Sequence, residues 1–251
     1  MNDNIPKTEL LYKKSKPIDH LSISSAISLM IEEQKKAAIE VKKASKSIEL
    51  SINKIYEHLK QNRNGRLVYV GAGTSGRIGI QDGAELFPTF NWPINRLDYI
   101  IAGGKRAILH AIENSEDNVF LAKEEAIKMK ISSKDVVIGL AASGNTPFTC
   151  KVLEEAEKNG ALTIAISNNP NGKILEYGNQ KIILNTKEEV IAGSTRLKAG
   201  TSQKICLNII SSIVMIKLGK VKNGMMNKMV PTNQKLRLRK KQIDSLNEEI
   251  N

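Results

Sequence analysis

From residue 23 to about residue 60 the apolar positions recur every three to four residues, with no Gly or Pro between them. Ile27, Met30, Ile31, Ala38, Val41, Ile48, Ile52, Ile55 and Leu59 form the stripe. This rhythm predicts two helices broken near residues 33–36. After Gly65 the pattern changes to short β-branched runs at 67–70, 99–102, 136–140, 163–166 and 181–184. Helical segments at 77–86, 106–130, 147–159 and 194–218 separate them. Continuous apolar strands spaced by helices predict a parallel sheet covered on both faces. The expected class is therefore α/β, a parallel five-stranded sheet sandwiched by helices. An N-terminal arm and helices (1–60) precede the central domain (61–222). A helical tail (223–251) follows, with a basic helix at 234–249 carrying Leu236, Ile243 and Leu246 on one face and Leu238 off it.

In such sheets ligands sit beyond the carboxyl ends of the strands. The first loop there is Gly71-Ala72-Gly73-Thr74-Ser75-Gly76, between a strand and a helix. Its glycines allow a tight turn and close backbone approach, and the helix N–H groups point into it. The spacing also fits the dinucleotide fingerprint. The second loop, Ala141-Ala142-Ser143-Gly144-Asn145-Thr146-Pro147, again joins a strand to a helix. Ser143 and Thr146 suit helix caps or anion ligands; two hydroxyl-rich loops at one sheet edge can surround a phosphate. A dinucleotide site also wants an acid at the end of the second strand. That strand ends Ala102-Gly103-Gly104-Lys105, and Asp98 stands at its other edge. A sugar phosphate fits better. A third hydroxyl- and cation-rich helix start, residues 193–201, puts Ser194 and Lys198 forward for an anionic substrate group.

Composition narrows the partners. The net charge is +12, yet aromatics are only 4%, too few for base-stacking platforms. The charge reads as solvated lysines, with no nucleic-acid partner expected. Cys150 and Cys206 lie in apolar segments without metal or redox spacing and read as buried thiols of a reducing compartment. His20, His58 and His110 have no metal-ligand spacing, so no metal is expected. The first 19 residues have no signal-peptide core, and residues 205–218 are too short and polar to span a bilayer. A cytoplasmic protein without a membrane partner is expected.

Among the acids, Asp82 and Glu85 share a helix face, and Glu113 and Glu116 lie three apart after His110. Glu85, flanked by Ala84, Leu86, Phe87 and Pro88, reads as a carboxyl in apolar company near the end of the helix that starts in the first loop. Such a group suits proton transfer.

Val70-Gly71-Ala72-Gly73-Thr74-Ser75-Gly76-Arg77, Ile101-Ala102-Gly103-Gly104, His110 through Asp117, Ala141 through Pro147 and Gly193 through Thr201 resemble the N-acetylmuramic acid 6-phosphate etherases. That family is built on the sugar isomerase (SIS) domain and is related to the glucokinase regulatory protein. The resemblance runs from about Ile18 to Asp244. It implies a homodimeric, cofactor-free lyase that removes the D-lactyl ether from a phosphorylated amino sugar in peptidoglycan recycling. By motif match its catalytic glutamates fall on Glu85 and Glu116. The phosphate falls to the loops of Gly73, Thr74, Ser75 and Gly76 and of Ser143, Gly144, Asn145 and Thr146. Two features depart from the family: its usual further C-terminal helices are missing, and residues 8–12 keep only Thr8-Glu9 of its opening motif.

Overall fold

The computed structural model describes residues 5–13, 15–231 and 234–250, and in the last helix only some side chains. Five strands, β1 (Leu67–Gly71), β2 (Leu97–Ile101), β3 (Val136–Ala141), β4 (Leu162–Ser167) and β5 (Gln180–Ile183), form one parallel sheet in the order β2-β1-β3-β4-β5. The helices are α1 (Ile23–Lys43), α2 (Ser45–Gln61), α3 (Gly73–Ala84), α4 (Leu86–Phe90), α5 (Val119–Lys128), α6 (Pro147–Lys158), α7 (Lys198–Lys217) and α8 (Gln234–Ile250).

β1 and β3 are buried along their whole length, and alternate residues serve opposite faces. Leu67, Tyr69, Ile138 and Leu140 share one core with Ile48, Ile52 and Ile55 of α2 and with Leu207 and Ile210 of α7. Val68, Val70 and Val137 share the other with Ala122 of α5 and Val152 and Leu153 of α6. By length and composition α7 is apolar enough to cross a membrane, but more than half of that stretch is buried inside the fold. Both cysteines are buried thiols, and burial pushes Cys150 up to about 11 and Cys206 up to about 12. In α8, Ile243 is buried and Leu238 exposed, as their predicted faces require; the Leu246 side chain lies outside the described ones.

Three expectations about helices change. The break in the N-terminal pair falls at Ala44, not at residues 33–36. The polar stretch there is not a solvated interruption, because Glu33 is buried and ion-paired. The helix expected over 194–218 begins only at Lys198. The expected helix 106–130 is mostly irregular: 3-10 turns at Gly104–Ile108 and Ser115–Asp117 precede α5. Arg77 of α3 accounts for part of this. Its Nε donates to the Ala107 and Ile108 carbonyls, and its Nη2 to that of His110, each at 3.0 Å. Asn118 then caps α5, its Oδ1 accepting the Leu121 N–H at 2.9 Å.

Candidate functional site: a phosphate cradle facing carboxylates

β1 pairs with β2 on one side and with β3 on the other. The crossovers therefore leave β1 and β3 in opposite directions, which opens a crevice at their carboxyl ends. Gly71 and Leu140 are register partners, so the two glycine loops emerge side by side. Both loops line a cavity of about 570 Å³ through Ala72, Gly73, Thr74 and Ser75 on one side and Ala142, Ser143, Asn145, Thr146 and Pro147 on the other. The N-termini of α3 and α6 point at this cavity, and helix N-termini favour anions. The Ser143 Oγ accepts the Asn145 N–H at 3.1 Å, and the Asn145 Oδ1 accepts the Lys173 N–H at 2.9 Å. These bonds fix the second loop in shape.

Two glycines expected at the ligand serve the scaffold instead, and neither lines the cavity. A Cβ on Gly76 would sit 2.8 Å from Ile101 and 2.9 Å from the Gly71 carbonyl, so this glycine lets α3 lie against the sheet. Gly144 has φ +75°, and a Cβ there would come within 2.4 Å of the Gly172 backbone.

The third helix start differs from the first two. The N–H groups of Lys198 and Ala199 are already taken by the buried carboxylate of Glu189, at 3.2 and 2.7 Å. Burial pushes that carboxyl above its ordinary range, although the two N–H groups and Lys198 oppose the shift. Lys198 is turned inward, 1% exposed, with its Nζ donating to Glu33 Oε2 at 2.8 Å and to the Glu188 carbonyl at 2.7 Å. Burial alone would raise the Glu33 carboxyl, but hydrogen bonds from Lys198, Lys36 and Tyr12 outweigh it and hold it at about 2. Lys198 is thus a structural ion-pair partner and not a free cation for substrate. Ser194 does not line the cavity either; its neighbours Gly193 and Thr195 do.

The acids come from the irregular segment after β2. Glu116 and Asp117, on the 3-10 turn, face the cavity. A smaller hollow of about 300 Å³ adjoins it and is lined by Arg77, His110, Glu113 and again Glu116. A further acid, Glu9, reaches the cavity from the N-terminal arm together with Pro6.

A family model described as the glucokinase regulatory protein N-terminal SIS domain matches residues 50–157. The chain is 42% identical over 248 residues to the N-acetylmuramic acid 6-phosphate etherase of Mycoplasma mycoides subsp. mycoides SC, covering 97% of this chain and 82% of that relative. It is 45% identical over 238 residues to the corresponding etherase of Francisella philomiragia subsp. philomiragia, covering 94% and 80%. The chain belongs to the N-acetylmuramic acid 6-phosphate etherase family. In fold it is similar to a phosphoheptose isomerase from Francisella tularensis, with a TM-score of 0.60 at 18% identity, over 78% of this chain and all of that one.

Of the two glutamates that the etherase motifs single out, only Glu116 lies on the cavity. Glu85 sits at the joint of α3 and α4, exposed to solvent. Its apolar neighbours in sequence do not enclose it, because Leu86 turns into the core while Glu85 turns out. With a rise of 1.5 Å per residue, Glu85 stands roughly 18 Å along α3 from Gly73. Glu9 was not singled out by its local sequence. A lone acid in a polar arm gives no periodic signal; only the Thr8-Glu9 pair of the etherase opening motif marked it.

Proposed function

We propose that this etherase-family chain is a carbon–oxygen lyase that converts N-acetylmuramic acid 6-phosphate into N-acetylglucosamine 6-phosphate and D-lactate. The observation that carries the reading is the pairing, in one cavity, of a neutral anion cradle with a carboxylate at Glu116, in a chain 42–45% identical to etherases. The 6-phosphate sits between the N-termini of α3 and α6, taking hydroxyls from Thr74, Ser75, Ser143 and Thr146. With the sugar ring open, the C1 aldehyde acidifies the C2 proton. A carboxylate removes that proton, lactate leaves from C3 with a proton from an acid, and water adds to the double bond. This work asks for positioned acid–base groups and a fixed anchor.

Glu116 and Glu85 are the proposed acid–base pair. Within one chain they are separated by the length of α3, so the reading includes a homodimer in which the Glu85 end of α3 of one protomer meets the pocket of the other. The reaction belongs to the cytoplasm and to amino sugar catabolism in peptidoglycan recycling.

The test is to incubate the purified chain with N-acetylmuramic acid 6-phosphate in heavy water and, separately, in heavy-oxygen water. Elimination puts deuterium at C2 and the oxygen label at C3 of the product sugar, and leaves D-lactate free of heavy oxygen. Lactate release with protium kept at C2 would overturn the elimination step. Exchange at C2 without lactate release would instead make the chain a phosphosugar isomerase.

A further inference from the structure

The N-terminal arm lends Pro6 and Glu9 to the cavity lining. Thr8 is fully buried, and its carbonyl accepts the Gly193 N–H at 3.3 Å. Four residues on, the Tyr12 hydroxyl donates to Glu33 Oε1 at 2.8 Å. Glu33 in turn holds Lys198, and Lys198 holds the Glu188 carbonyl. The arm is therefore tied at two points, to Gly193 in the segment that precedes α7 and to Glu33 of α1, which itself holds the first residue of α7. Between those ties lies Glu9, on the cavity with Pro6, Gly193 and Thr195. Its Oε2 occupies the space that a side chain at residue 193 would need: a Cβ there would be 2.8 Å away. Gly193 also has φ +72°, which disfavours any other residue. Among the described residues no Lys or Arg pairs with Glu9, and the Thr8 hydroxyl donates to its Oε1 at 3.4 Å.

An ionised carboxylate only accepts hydrogen bonds. It repels a phosphate and a lactyl carboxylate, but welcomes hydroxyls and amide N–H groups. Held on a pinned segment that lines the same cavity as the hydroxyl loops, it disfavours a phosphate beside itself and leaves the uncharged loops of residues 72–75 and 142–147 as the phosphate end. We propose that Glu9 is a specificity-determining, substrate-contacting residue that accepts hydrogen bonds from a sugar hydroxyl or the acetamido N–H. It fixes the phosphosugar in one orientation. The identity of the sugar rests on the etherase reading; the contact itself rests on the arm.

The full-length parent chain, Glu9→Ala and Glu9→Gln are compared in three measurements: D-lactate release from N-acetylmuramic acid 6-phosphate, calorimetric binding of N-acetylglucosamine 6-phosphate, and calorimetric binding of inorganic phosphate. Glu9→Ala is expected to raise KM and the sugar-phosphate Kd by about 10-fold or more, the range of a hydrogen bond to a charged group. KM should rise more than kcat falls, and inorganic phosphate should bind as in the parent. Glu9→Gln keeps an acceptor carbonyl and should recover most of the sugar-phosphate affinity. Equal weakening of sugar phosphate and inorganic phosphate would show that Glu9 only shapes the pocket, and would overturn the proposal. So would an unchanged sugar-phosphate Kd in Glu9→Ala. If the parent releases no lactate, the etherase reading fails, and the two binding measurements still decide the role of Glu9.

Discussion

The sheet-edge wall of the cavity, built by residues 72–75 and 142–147, carries no charged side chain, whereas the rest of the lining carries Glu9, Glu116 and Asp117. The first wall is made of hydroxyls and the N-termini of α3 and α6. It is set by β1 and β3, buried strands that are neighbours in the sheet. The second is made of irregular chain, pinned by Arg77 on one flank and by the arm on the other. The division has a chemical reason. A lysine among these hydroxyls would be drawn to the carboxylates of the same cavity and would neutralise them. Neutral dipoles can attract an anion without pairing with the carboxylates. The cation put forward from the sequence, Lys198, is used as a structural tie on Glu33, and Arg77 likewise ties carbonyls.

That difference can be broken from either side. The largest effect is expected where a cation was mistaken for a ligand group. Lys198→Met removes the buried partner of Glu33, with Lys36 and Tyr12 remaining on it, and should lower stability by about 3 kcal/mol, the low end for a broken buried pair, measured by denaturant unfolding. A ligand role predicts instead a normal midpoint with lost phosphate binding. The same pair sets an acid limb. The Glu33 carboxyl is lowered from 4.5 to about 2, so its stabilising contribution is complete above about pH 4.5 and fades as pH falls toward about 2. Removing the carboxylate in Glu33→Gln should flatten that limb in a pH series of unfolding midpoints. An unchanged limb assigns it to other carboxylates.

Next comes the acidic wall. Glu116→Gln should cut lactate release by ~100-fold or more, in line with acid–base contributions. Calorimetric binding of the product sugar phosphate should stay near the parent value. Turnover close to normal would take Glu116 out of the reaction. The smallest change is expected on the neutral wall, where several donors share one phosphate. Ser143→Ala should weaken sugar-phosphate binding by about 1–3 kcal/mol, with the unfolding midpoint kept. If sugars with and without the phosphate bind the parent equally well, the cradle is not a phosphate site.

The neutral wall was legible before any coordinates, because it is local. A continuous β-branched run, a glycine turn and a helix start lie within a dozen residues, twice over. The five strands were visible for the same reason, to within two residues at each end. The acidic wall was not. Ile108, Leu109, Ala111 and Ile112 keep a helical rhythm, and only Arg77, some thirty residues earlier, takes the carbonyls that a helix would use. Leu109 and Phe120 of that stretch are exposed. Glu189 gave no signal as a cap, because it lies nine residues from the N–H group of Lys198 it holds. Glu33 looked like a helix break for a related reason: its partner is far away along the chain.

The tie between Thr8 and Gly193 also sets a schedule. Translation supplies the arm first and its anchor last, about 185 residues later, which at 5–20 residues per second is a delay of roughly 10–40 s. Throughout that interval the arm has only its Tyr12–Glu33 tie and a half-built sheet beside it. Only when the segment before α7 has left the ribosome can Glu9 take its place, so a nascent or truncated chain that stops short of residue 193 holds both glycine loops but not the pocket.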